Sequence, residues 1–104
     1  MIHFTYVHVT QNHKLEQYSN DLLKTLLGKN ESIAHCSMKL SRKFNSRNVV
    51  KEVVELKANI NGVMFNCSGM ESNFKKATDA AFKLLKVQYS ESKFTDSSQK
   101  SVWL

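Results

Sequence analysis

Four lysines stand on one predicted helix, Lys75, Lys76, Lys83 and Lys86, in the segment from Asn73 to about Gln88. Ammonium groups repeated along a rigid rod can touch successive phosphates of a polyanion and release its counterions. Lys76, Asp79, Lys83 and Lys86 follow one another at steps of three and four, so they share one side of the helix. The same pattern also fits a solvated face with weak Lys76–Asp79–Lys83 surface pairs. A second basic group, Arg42, Lys43 and Arg47, surrounds Phe44. Arginine binds phosphate bidentately, and an exposed ring can stack on an unpaired base. A flexible connection whose charges keep it in water has the same composition.

Other chemistry is poorly represented. His3, His8, His13 and His35 are scattered, without an HxH or HExxH pattern. Cys36 and Cys67 lie inside apolar alternation with no CxxC, which favours buried, reduced thiols over a zinc site or a disulfide. Ser68-Gly69-Met70 and Gly62 resemble no phosphate loop, and no nucleophile elbow frames a serine. Glu52 and Glu55 point to opposite faces of one strand, which is wrong for a catalytic pair. The expectation is no enzyme, no metal, no cofactor and no small-molecule substrate.

Fifteen Lys and Arg against nine Asp and Glu give a net charge of +6, which favours an anionic partner such as nucleic acid or an acidic membrane surface. The 104 residues suffice for one domain with one core. Met1 to Thr10 lacks the basic and long apolar regions of a signal peptide, and no apolar run is long enough to span a membrane. A soluble, cytoplasmic protein is expected.

The elements that must carry these side chains are marked by periodicity. Ile2, Phe4, Tyr6 and His8 alternate as a first strand. Several possible N-caps lie between Thr10 and His13. Leu15, Tyr18, Leu22 and Leu26, widened by Leu23 and Leu27, then form a helical stripe that Gly28 closes. Ala34, Cys36, Met38 and Leu40 give a second strand, and Ser41 to Asn48 reads as a polar, basic loop. From Val50 to Cys67 apolar residues recur every second position on both sides of Asn61-Gly62, the signature of a hairpin with a two-residue I′ turn. That turn sets Ile60 opposite Val63, Ala58 opposite Phe65 and Leu56 opposite Cys67. Ser72 is a candidate N-cap for the lysine-bearing helix. Its buried stripe is Phe74, Ala77, Ala81, Leu84 or Leu85, and Val87 or Gln88. Residues 1–89 form the domain, in the order β-α-β-β-β-α, and 90–104 read as a polar, flexible tail. Trp103, beyond the polar stretch, is expected to be disordered in solution.

This order, the Asn-Gly hairpin and the helix Phe74-x-x-Ala77-Thr78-Asp79-x-Ala81-x-x-Leu84-Leu85-Lys86 together resemble the ribosome hibernation-promoting factor family, which includes the ribosome-associated inhibitors once called sigma-54 modulators. The match is specific over about residues 49–88 and weaker before. The resemblance implies an α+β domain, a four-stranded sheet with two helices packed on one face, similar to double-stranded-RNA-binding folds. It implies docking of a monomer on ribosomal RNA of the small subunit, in the channel for messenger and transfer RNA, holding ribosomes inactive under stress. Lys76, Lys83 and Lys86 carry over as RNA contacts, and Lys75, Arg42, Lys43 and Arg47 extend the expected footprint. Two departures stand out. Lys75 replaces a tyrosine common near the start of this helix, and Tyr89-Ser90-Glu91-Ser92-Lys93 replaces a basic run. The chain looks like a short form, without the second, dimerising domain of long members. A protein-interaction module, or a general RNA-binding domain without a ribosomal role, fits the same residues.

Overall fold

The computed structural model describes residues 2–28, 34–44, 46–47 and 49–103, the stretch 92–103 as helical backbone only. The order is β1 (Ile2–Tyr6), α1 (His13–Leu27), β2 (Ala34–Phe44), β3 (Val50–Ile60), β4 (Val63–Glu71) and α2 (Phe74–Trp103). The four strands lie in sequence order, with β1 parallel to β2 and the other pairs antiparallel. Ile2, Met38, Leu56 and Cys67 turn to one face and meet Leu23 of α1 and Ala77, Ala81 and Leu85 of α2. Both helices therefore cover the same face of the sheet, and no described element covers the other.

The hairpin follows from its local chemistry. Asn61 and Gly62 both take positive φ, 53° and 84°, as a I′ turn requires. The register pairs Ile60 with Val63, Ala58 with Phe65 and Leu56 with Cys67. Each pair shares the helix-covered face, although Val63, next to the turn, stays half exposed. Both cysteines are free and buried, and burial raises the pKa of each thiol.

Helix α1 begins at Asn12, whose side-chain oxygen accepts from the Leu15 N–H at 3.1 Å. Gly28 closes it at φ 54°. Its most buried line is Leu15, Ser19, Leu23 and Leu27, rotated from the stripe read in the sequence; Tyr18, Leu22 and Leu26 flank it, partly buried. Ser19 is tolerated there because its hydroxyl donates to the Leu15 carbonyl at 2.8 Å. The first strand stops at Tyr6, and His8 lies outside it with φ 54°. The Tyr6 hydroxyl donates to Glu16 at 2.7 Å and accepts from the Asn12 N–H at 3.3 Å, tying strand end to helix start.

Helix α2 departs from expectation at both ends. Asn73, not Ser72, caps it, accepting from the Lys76 N–H at 2.8 Å. The backbone stays helical past Gln88 to Trp103, because nothing after Gly69 is a glycine or proline that would stop it. On its inner face Leu85 is buried while Leu84 and Val87 are about half exposed, which settles the alternatives for the stripe. Gly69 sits inside β4 opposite Val54, directly under α2. A Cβ at this position would lie 2.0 Å from the Ala77 carbonyl oxygen, so the absent side chain sets how closely α2 approaches the sheet.

Candidate nucleic-acid interface

The packing of α2 decides which of its residues face water. With Ala77, Ala81 and Leu85 fixed on the sheet, Lys75, Lys76, Lys83 and Lys86 are exposed on its outer side. At 1.5 Å per residue, Lys76 and Lys86 are about 15 Å apart along the axis. Among the described residues, Lys76, Lys83 and Lys86 have no ion-pair partner. The acid that shares their side of the helix, Asp79, is engaged from across the groove, where the Tyr18 hydroxyl of α1 donates to Asp79 Oδ1. This hydrogen bond is the main reason the Tyr18 pKa is raised. The Lys76–Asp79–Lys83 surface pairs read from spacing do not form, and the outer face of α2 keeps its positive charge.

Lys75 behaves differently. Its ammonium lies 5.6 Å from the centre of the Tyr18 ring, a cation–π contact between the helices. A lysine at this position thus uses the aromatic surface of α1. Further along, Lys83 and Lys86 stand at the rim of a cleft of about 500 Å³ whose walls include Leu22, Leu26, Phe82 and Tyr89.

The second basic group is strand rather than loop at Arg42 and Lys43. β2 runs on to Phe44 and β3 starts at Val50, so Arg42 and Lys43 are strand residues. Alternation sends them to opposite faces. Arg42 lies on the helix-covered side, where Nε meets Glu52 at 2.9 Å and the guanidinium stands 5.9 Å from the Phe74 ring. It is committed to joining the strand ends to the start of α2. Lys43 lies exposed on the open face, Arg47 is exposed in the turn beyond, and Phe44 is 69% exposed. The structure gathers Lys75, Lys76, Lys83 and Lys86 on one helix face, and keeps Lys43 apart from them on the other side of the sheet. Sequence reading missed Tyr18 as the group that occupies Asp79. The signal was present only as an aromatic within the α1 stripe.

Among the described residues no three His, Cys, Asp or Glu side chains group as metal ligands, and no helix is long and apolar enough to cross a membrane.

No family model matches the chain, and no curated protein is similar to it in sequence. Solved structures are similar in fold. A ribosomal subunit interface protein from Coxiella burnetii superposes with a TM-score of 0.71 at 17% identity, covering 88% of this chain and 96% of that one. The N-terminal domain of Protein Y from Thermus thermophilus gives 0.67 at 15% identity, covering 82% and 89%. At these identities the likeness is one of fold, and the four-stranded β-α-β-β-β-α domain implied by the hibernation-factor resemblance is the fold this chain has.

Proposed function

We propose that this protein is a non-catalytic ribosome-binding factor of the hibernation type, which docks on small-subunit ribosomal RNA through the outer face of α2. In this reading Lys76, Lys83 and Lys86 contact phosphates, with Lys75 beside them and Arg47 as an outlying contact, while Lys43, on the opposite face of the sheet, lies outside this footprint. The bound domain occupies the channel for messenger and transfer RNA and keeps the ribosome idle under stress. It acts in the cytoplasm and is a monomer when free. The observation that carries the reading is the un-neutralised lysine face on α2, in a fold shared with a ribosomal subunit interface protein. Arg42 contributes to the framework rather than to the contact, because Glu52 holds its Nε.

Co-sedimentation with purified small and large ribosomal subunits, at low and high salt, tests this reading. The expected result is salt-sensitive binding to the small subunit, stronger than to the large one or to an unrelated folded RNA. Equal binding to all three would replace it with general RNA binding, and binding to none would remove nucleic acid from the account.

A further inference from the structure

The face of the sheet that the helices leave open has a charge pattern of its own. Lys39, Lys43, Lys51 and Lys57 all project from it, by the alternation that buries Leu40, Val54, Leu56 and Ala58 on the other side. The only acid there among the described strand residues is Glu55, which faces Lys39 across the strands at 3.7 Å. Lys57 lies between Ser37 and Asn66. Lys43 and Lys51 are directly opposed in the register, with no acid beside them. Directly opposed side chains in antiparallel strands start only about 5 Å apart, and like charges so placed destabilise the pair. Among the described residues neither lysine has an ion-pair partner. An anion between the two ammonium groups would turn this repulsion into binding.

We infer that the open sheet face is a second RNA-binding surface, centred on Lys43 and Lys51, that takes a phosphodiester backbone separate from the one held by α2. The inference rests on the RNA-binding reading above and extends it. The two basic surfaces lie on opposite sides of one domain, so a single molecule can join two RNA segments. Phosphate is favoured over an acidic protein surface because the two opposed ammonium groups can share the oxygens of one phosphate, with the Ser41 hydroxyl beside Val53 and Met70 in the neighbouring row.

Bridging is measured with the full chain, a biotinylated 20-nucleotide polyuridine on beads and a fluorescent polyuridine in solution. The parent should bring fluorescent RNA to the beads. Lys43→Gln with Lys51→Gln should cut this co-capture at least tenfold while still binding one RNA. Its salt slope for that RNA should be unchanged when the α2 lysines carry the contact. Lys83→Gln with Lys86→Gln should likewise lose co-capture. Because Lys43 and Lys51 repel each other in the free protein, their neutralisation should leave the melting temperature equal or higher, which separates lost binding from lost folding. Undiminished co-capture by Lys43→Gln with Lys51→Gln overturns the second surface and leaves the α2 reading standing. A parent that binds neither RNA overturns both.

Discussion

The two helices cover the same sheet face, yet their outer surfaces differ in kind. α1 carries Lys14 and Lys24 against Glu16 and Asp21, a balanced set, and Glu16 is held by Tyr6 and Gln11. The described side chains of α2 carry Lys75, Lys76, Lys83 and Lys86 against Asp79 and Glu91, and Tyr18 from α1 engages Asp79. They also seat differently on the strands. α1 packs through leucine side chains, whereas α2 lays its backbone against Gly69. One helix closes the core with an electrically quiet exterior; the other is pressed close and presents charge. A buried stripe fixes where a helix sits and leaves the opposite side free to carry charge.

The seat of α2 is where the largest effect is expected. Gly69→Ala puts a methyl group into the Ala77 carbonyl, a backbone atom that cannot rotate away. Lifting α2 should cost roughly 3 kcal/mol and lower the melting temperature by more than about 10 °C. Unchanged melting would mean that α2 does not depend on this close approach.

The charge contrast is tested by paired reversals. Lys83→Glu with Lys86→Glu should weaken small-subunit binding by roughly a hundredfold, about 2.7 kcal/mol. Stability should stay within about 0.5 kcal/mol. Lys14→Glu with Lys24→Glu on α1 makes the same change in net charge and should weaken binding by far less. Equal losses from the two pairs would reduce the interface to overall charge.

These regions also differ in how legible they were. The hairpin was readable because alternation and Asn61-Gly62 act locally and agree, and its register follows from both. The rotation of α1 was not, because Ser19 looks polar until its hydroxyl is satisfied by the Leu15 carbonyl. Arg42 was read as a loop residue because its strand is held there by a cross-strand ion pair instead of apolar alternation. The lysines of α2 were legible as a group, since helical spacing alone brings them together. The engagement of Asp79 by Tyr18, and the approach of α2 to Gly69, depend on residues distant in sequence and could not be read from spacing.

A smaller effect sharpens the role of α1. Tyr18→Phe keeps the ring under Lys75 but frees Asp79, which can then pair with a lysine of its own helix. Small-subunit affinity should fall about threefold, in keeping with a surface pair of under about 1 kcal/mol. Asp79→Asn in the same background should restore it. No change in affinity would show that Asp79 does not compete with RNA.

The smallest effect concerns the distal part of α2. A chain truncated after Tyr89 should melt within a few degrees of the full length, because among the described side chains the core residues of α2 end with Leu85 and the partly buried Tyr89. Ordering the following polar residues costs backbone entropy of roughly 1–2 kcal/mol each. Binding should fall modestly with the loss of Lys93 and Lys100. Cooperative unfolding lost on truncation would make 90–104 part of the fold.

The central claim is that phosphates of small-subunit RNA meet the outer face of α2, and a salt titration of subunit affinity tests it most directly. With about four or five phosphates neutralised, log affinity of the parent should fall against log salt at roughly −3 to −4. Lys76→Gln, Lys83→Gln and Lys86→Gln combined should flatten that slope by about 2 to 3, at 0.7–0.9 per contact. A variant slope as steep as the parent's would contradict the account.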